Sequence, residues 1–140
     1  HIVFGSQERY PWIDGQLQPQ LYPFVGGVVR DLQSQLLAAG GMPDHLHLLI
    51  RVSADVSCAT LLREVKARSS RWIHEEFPAL QKFAWQRGYG GFSVGQSTVP
   101  AVEKYIRQQL EYHRTRSFEE EFVMLLERHE IAHDARFLLG

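Results

Sequence analysis

The chain has 140 residues, 44% hydrophobic and 22% charged, enough for one ordinary globular core and too short for two. No run approaches the roughly 20 apolar residues of a membrane span, and the opening His1-Ile2-Val3-Phe4 lacks a positively charged leader, so a single cytoplasmic domain is expected. The lone Cys58 excludes an internal disulfide, and a net charge of −1 argues mildly against a general affinity for phosphate. Distribution softens the charge objection: residues 1–116 hold 13 of the 15 basic and 10 of the 16 acidic residues, a net of +3. The remaining acids, Glu119, Glu120 and Glu121 among them, fall in the C-terminal tail. With no Met at position 1, native residues are expected before His1.

A first strand runs through about Ser6, followed by a polar turn anchored by Pro11 and Trp12. Leu21, Phe24, Val25, Val28, Val29 and Leu32 recur at helical spacing and predict a helix over Leu21 to Ser34. Gly26 and Gly27 inside it each cost about 1 kcal/mol relative to Ala, a cost explained if a neighbouring element approaches there. Gln35 to Ala39 reads as a short strand, Gly40-Gly41-Met42-Pro43 as the turn after it, and His45 to Val52 as the clearest strand of the chain. Ser57 can cap a helix starting near Cys58, with Leu62, Val65, Ser69, Trp72 and Ile73 inward and Phe77-Pro78 at its end. The aromatic and glycine-rich stretch from Phe83 to Gly95 is expected to lead into a fourth strand at Phe92 to Val94. A continuous helix follows from Val99 to about Arg114, and Ser117 with Glu120 makes a capping box for a last helix through about Arg128. The order strand, helix, strand, strand, helix, strand is the split βαβ pattern of the ferredoxin-like α+β fold. An antiparallel sheet with helices on one face is expected, with C-terminal helices added. Such folds serve many functions, so function must be read from the site.

Along His45-Leu46-His47-Leu48-Leu49-Ile50-Arg51-Val52 the side-chain period is two, so Leu46, Leu48, Ile50 and Val52 share a core face. His45 and His47 share the other, where two imidazoles at i and i+2 can reach one divalent metal. Asp44 is placed to orient one ring by accepting its second proton. Two ligands are too few for a structural zinc site, so a catalytic site needing at least one more ligand fits better. The plainer alternative is two polar side chains on the wetter face of a sheet.

In the last long helix, Val102, Ile106, Leu110 and His113 form one stripe and Tyr105, Gln109, Tyr112 and Arg116 an adjacent one. Gln109 can supply the missing oxygen ligand, and Tyr105 one turn earlier would point toward the metal. Tyr112 occupies nearly the same face, so spacing nominates two tyrosines and chooses neither. Either could instead be border packing on an amphipathic helix. A phenol of reference pKa about 10 needs a metal or neighbouring cations to become a nucleophile toward a phosphodiester. Attack by tyrosine leaves a covalent phosphotyrosine that a later hydroxyl can reverse, a chemistry suited to rejoining DNA.

Taken in order, the landmarks resemble the single-tyrosine HUH transposases of small insertion sequences and the related REP-associated tyrosine transposases. They are His1-Ile2-Val3-Phe4 with Arg9 and Pro11-Trp12, Gly40-Gly41-x-x-Asp44-His45-Leu46-His47-Leu48-Leu49, and Lys66-x-x-Ser69-Ser70-x-Trp72-Ile73. Phe83-x-Trp85-Gln86-x-Gly88-Tyr89, Phe92-Ser93-Val94, Tyr105-Ile106-x-x-Gln109 and Ser117-Phe118-x-x-Glu121 complete the set. The resemblance implies Tyr105 as nucleophile, with Tyr112 standing where relatives often have His, and a divalent Mg²⁺ or Mn²⁺ on His45, His47 and Gln109. It implies substrates that are single strands bearing hairpins, cut and rejoined through a 5′-phosphotyrosine, and a homodimer in which the Tyr105 helix can serve the partner's His pair. Arg63, Lys66, Arg68 and Arg71 are candidates for contacts to the DNA backbone, and Trp85 and Tyr89 for stacking on unpaired bases. Two alternatives stand beside it: a non-catalytic single-strand-binding module with the same strand order, and a metal-dependent phosphoesterase using water. The first lacks the aromatic-basic strand signature, and the second leaves Tyr105 without a role.

Overall fold

The computed structural model describes residues 1–129. Its strands are β1 (Ile2–Gly5), β2 (Gln35–Met42), β3 (His45–Arg51) and β4 (Gly90–Gly91), and its helices α1 (Gln18–Asp31), α2 (Cys58–Glu76), α3 (Val99–Arg107), α4 (Gln109–Tyr112) and α5 (Phe118–Arg128). The strands form one sheet in the order β2-β3-β1-β4, each pair antiparallel. This is the ferredoxin-like α+β arrangement expected from the element order. Among the described residues no helix is long and apolar enough to cross a membrane.

Alternation along β1 and β3 sorts side chains to two faces. Ile2, Phe4, Leu46 and Leu48 face α1 and α2, where Leu21, Val25, Leu62, Val65 and Ile73 close the main core. On the opposite face, Val3 packs with Phe92 and with Phe118, Phe122, Leu125 and Leu126 of α5. Beside it, Ala38 and Leu49 pack with Ile106 of α3, joined by Val94, Val99, Val102 and Tyr105. His45 and His47 lie on this second face, which is therefore covered and not wet.

Several element boundaries differ from those predicted, each for a local reason. α1 begins at Gln18, where the Asp14 carboxylate accepts the amides of Gln16 and Leu17 and Pro19 sits in the first turn. It ends at Asp31 because Gln33 takes the left-handed conformation (φ 58°), with Gln33 N–H on the Arg30 carbonyl and Ser34 N–H on that of Val29. Among the described residues no element crowds its glycines: a methyl at Gly27 would meet nothing, and one at Gly26 only ordinary contact with Leu36. β2 continues through Gly40 and Gly41 to Met42, pairing Gly40 with His47 and Met42 with His45, so the turn falls at Pro43–Asp44. Gly40 is needed because α3 crosses there: a methyl on it would overlap the Ile106 carbonyl. The fourth strand is Gly90–Gly91, not Phe92 to Val94. Ile2 and Val3 pair with Gly91 and Gly90, and after the Phe92 amide bonds the His1 carbonyl the chain leaves the sheet to pack Val94 against α3.

Candidate metal and nucleophile site

The predicted continuous helix breaks at Gln108 (φ −105°, ψ 31°), dividing it into α3 and α4. The break exposes Leu110, which is 68% accessible, while Gln109 turns inward to 2%. The capping box forms as expected: Ser117 Oγ accepts the Glu120 amide at 3.1 Å and Glu120 accepts the Ser117 amide at 3.2 Å. It sets the phase of α5 so that Phe118, Glu121, Phe122 and Leu125 all face the sheet. Glu121 thus enters an apolar surface and reaches the two histidines of β3.

Five polar side chains meet there. His45 and His47 are 1% and 0% exposed, Gln109 2% and Glu121 0%, and His113 is nearly as buried. Glu121 Oε1 lies 2.9 Å from His47 Nε2, 3.3 Å from His113 Nε2 and 3.5 Å from His45 Nε2. Gln109 Oε1 lies 3.2 Å from His45 Nε2 and 3.0 Å from His113 Nε2, and its amide donates to Glu121 Oε2 at 3.1 Å. The Tyr105 phenol donates to Glu121 Oε2.

Each ring is held from behind. His45 Nδ1 donates to Asp44 at 2.9 Å, and Asp44 is paired with Arg9 at 3.4 Å. His113 Nδ1 donates to the Arg116 carbonyl at 2.6 Å, and His47 Nδ1 lies 2.9 Å from His1 Nε2. Phe118 stacks flat on His45 at 4.0 Å, and the Arg9 guanidinium covers the Phe118 ring at 4.9 Å. With the Nδ1 protons of His45 and His113 committed, each ring in its neutral form turns a lone pair toward the oxygens of Gln109 and Glu121. Lone pairs facing lone pairs call for a cation between them. Donor atoms of His45, His47, His113 and Glu121 all lie within 4.8 Å of one another, so the cluster can hold a metal ion.

The electrostatics follow from burial and pairing. Burial opposes the charged form of Glu121, but bonds from His113, His45 and His47 outweigh it and hold its carboxyl below the usual carboxylate range. Burial also opposes protonation of His45, yet Asp44 and Glu121 raise it above the ordinary histidine value. At His47 burial wins and the shift is downward. Tyr105 is pushed well above the ordinary phenol value, first by burial and then by the adjacent Glu121 carboxylate.

Of the residues nominated from sequence, Tyr105, His45, His47 and Gln109 come together. The Tyr112 ring packs edge-on against Tyr105 and His113, but its hydroxyl is directed at Met124 sulfur, 3.7 Å away. The DNA-contact candidates do not join them: α2 lies across the sheet from the His pair. Arg63, Arg71 and Tyr89 are exposed. Arg68 is paired with Glu64 at 2.9 Å and Asp31 at 3.2 Å. The Lys66 ammonium is tied down by the Gln86 carbonyl at 3.1 Å and that of Gly88, over the Phe4 ring. Trp85 is packed edge-on against Phe4 and Phe83 with its indole N–H on Ser69 at 2.9 Å. Sequence reasoning gave no role to His113 or Glu121. The available signal was a carboxylate within the apolar stripe Phe118-x-x-Glu121-Phe122-x-x-Leu125, which a buried helix face tolerates only with partners.

A ferredoxin-like sheet with a His–hydrophobic–His strand at its centre and a tyrosine helix laid over it defines a DNA-processing enzyme of the HUH tyrosine type. Residues 1–109 match the family described as "Transposase IS200 like", and the chain belongs to that family of DNA transposases. It is 29% identical over 120 residues to the transposase for insertion sequence element IS200 of Salmonella typhimurium, covering 79% of this chain and 76% of that one. It is 21% identical over 114 residues to the ISDra2 transposase TnpA of Deinococcus radiodurans, covering 78% of this chain and 81% of the relative. Among solved structures it resembles a transposase-like chain from Deinococcus radiodurans (TM-score 0.64, 20% identity, 75% of this chain and 85% of that one). It also resembles a REP-associated tyrosine transposase bound to a REP hairpin (TM-score 0.61, 18% identity, 80% and 66%). At these identities the two structures bear on the fold alone.

Proposed function

We propose that this transposase cuts and rejoins single-stranded DNA through covalent attachment to Tyr105, with a divalent cation, Mg²⁺ or Mn²⁺, held by His45, His47 and Gln109. The observation that carries this reading is the position of the Tyr105 phenol, bonded to a carboxylate whose other oxygen touches the Nε2 of both strand histidines. His45, His47 and Gln109 would hold the cation, which would supply Lewis-acid polarisation of the scissile phosphate and a fixed direction of approach. Tyr105 supplies the attacking oxygen, and α3, pressed onto Gly40, holds it over the His pair. The P–O3′ bond breaks as the tyrosyl–phosphate bond forms, leaving a free 3′-hydroxyl and a 5′-phosphotyrosine that a later hydroxyl reverses. Asp44 fixes the ring of His45, and the Arg116 carbonyl that of His113.

The structural neighbour bound to a REP hairpin supports a hairpin-bearing single strand as substrate. Arg63, Arg71 and Tyr89 are the exposed groups proposed to contact it, while Lys66, Arg68 and Trp85 are engaged within the fold. Tyr105 meets the His pair of its own chain, which favours cleavage in cis within each member of the proposed homodimer. The test is incubation with a labelled hairpin-bearing strand and Mn²⁺. A denaturation-resistant adduct should form with the native chain and be lost in Tyr105→Phe and on chelation. Cleavage without an adduct would instead favour hydrolysis by water. Mixing Tyr105→Phe with a His45→Ala/His47→Ala chain should restore nothing if cleavage is in cis.

A further inference from the structure

His113 and Glu121 both lie beyond residue 109, where the match to the family ends. We propose that both are metal ligands in this chain, and that Glu121 links metal and nucleophile by giving one carboxylate oxygen to the cation and the other to the Tyr105 phenol. This rests on the reading of His45, His47 and Tyr105 as the cleavage centre, and extends it.

Glu121 has no exposed surface, and among the described residues the groups bonded to it are His45, His47, His113, Gln109 and Tyr105, with no lysine or arginine. A buried carboxylate must be compensated, and three protonated imidazoles cannot share so small a space without mutual repulsion. One divalent cation satisfies all of them. The Nε2–Oε1 separations of 2.9, 3.3 and 3.5 Å have the right size. Ligands at about 2.1 Å from one ion, at octahedral or tetrahedral angles, stand about 3.0–3.4 Å apart. His113 reaches this position because the break at Gln108 re-aims α4, and its Nδ1 is fixed by the Arg116 carbonyl. Glu121 reaches it because the capping box sets the phase of α5. Three imidazoles with one carboxylate favour a first-row transition ion over Mg²⁺, which prefers oxygen and water. The shared carboxylate also explains why the nucleophile sits beside the metal donors before any DNA is present.

The experiment is Mn²⁺ titration calorimetry and Co²⁺ absorption on the intact chain, on His113→Ala, on Glu121→Gln and on His45→Ala/His47→Ala, with circular dichroism as the folding control. Glu121→Gln keeps the size of the side chain, and His113 lies near a surface turn, so at least one variant should fold. Both should weaken Mn²⁺ binding by about 10–100-fold or more and change the Co²⁺ band. Glu121→Gln should also slow adduct formation at saturating Mn²⁺. Folded His113→Ala and Glu121→Gln chains that bind Mn²⁺ within about twofold of the native chain, with an unchanged Co²⁺ band, would overturn the proposal. In that case loss of binding in His45→Ala/His47→Ala would leave the underlying cleavage centre standing. Metal loss in all the variants, with no Tyr105 adduct from the native chain, would instead uphold the ligands and remove the cleavage reading.

Discussion

Substituting Gly40 by alanine tests whether the seat of α3 sets the reach of Tyr105. The residue lies on β2 opposite His47, and a methyl there would stand 2.9 Å from the Ile106 carbonyl carbon and 3.1 Å from its Cγ2, with the carbonyl oxygen closer still. Both strand and helix backbones are fixed by hydrogen bonds, so relief must come from α3 moving off the sheet. Overpacking of this kind costs about 1–3 kcal/mol, which a domain of this size survives. The catalytic cost should be larger: a displacement on the order of 1 Å in a positioned reacting group lowers rates by about 100-fold. The expected signature is separation of two readouts. Single-turnover adduct formation should fall about 100-fold, while Mn²⁺ affinity, proposed to rest in large part on His45 and His47 of β3, should fall far less. Adduct formation within about threefold of the native rate in a Gly40→Ala chain that folds would refute the reasoning.

Asp44→Ala removes the acceptor that fixes His45 Nδ1 and should lower Mn²⁺ affinity about 10–100-fold in calorimetry, with unchanged affinity refuting its role. Because Asp44 and Glu121 hold the His45 pKa above its ordinary value, metal uptake should compete with a proton up to a higher pH than at an ordinary histidine. Affinity should therefore fall as pH is lowered, and calorimetry in two buffers of different ionisation enthalpy should count the released proton. Glu121 has a depressed pKa, so its contribution to the metal-free fold is present above the unfolded value of about 4.3 and lost as pH falls. Chemical denaturation across pH 3–6 should show this acid loss in the native chain and a flatter limb in Glu121→Gln. Trp85→Phe should cost about 0.5–1.5 kcal/mol from the lost Ser69 hydrogen bond and leave hairpin binding unchanged in a gel-shift assay.

The strand bearing His45 and His47, the helix from Cys58 with its Ser57 cap and the capping box at Ser117 were legible because each rests on local chemistry within a few residues. The order of elements carried the fold, and the ordered landmarks added the expectation of Tyr105 over Tyr112, which spacing had left even. What local patterns missed depends on contacts distant in sequence. Gly40 and Gly41 look like a turn until α3 is laid across β2, and Gly90–Gly91 pairs with β1 although its residues favour a loop. A continuous helix through Leu110 is the natural reading of its periodicity. The break at Gln108 is seen only when Gln109 and His113 are drawn to Glu121. Glu121 itself stood only among the acids of the tail and as a landmark without a role, because net charge does not distinguish a solvated carboxylate from one facing three imidazoles. The same limit applies to Lys66 and Trp85, whose residue types suit DNA but whose partners lie inside the protein.

The central claim is that Tyr105 becomes covalently joined to the 5′ side of the cut strand. Protease digestion of the purified adduct, followed by tandem mass spectrometry, locates the attachment directly. The expected result is a nucleotide mass on Tyr105, in the peptide that also contains Ile106. Attachment at Tyr112, or a cut strand with no modified tyrosine, would contradict the account.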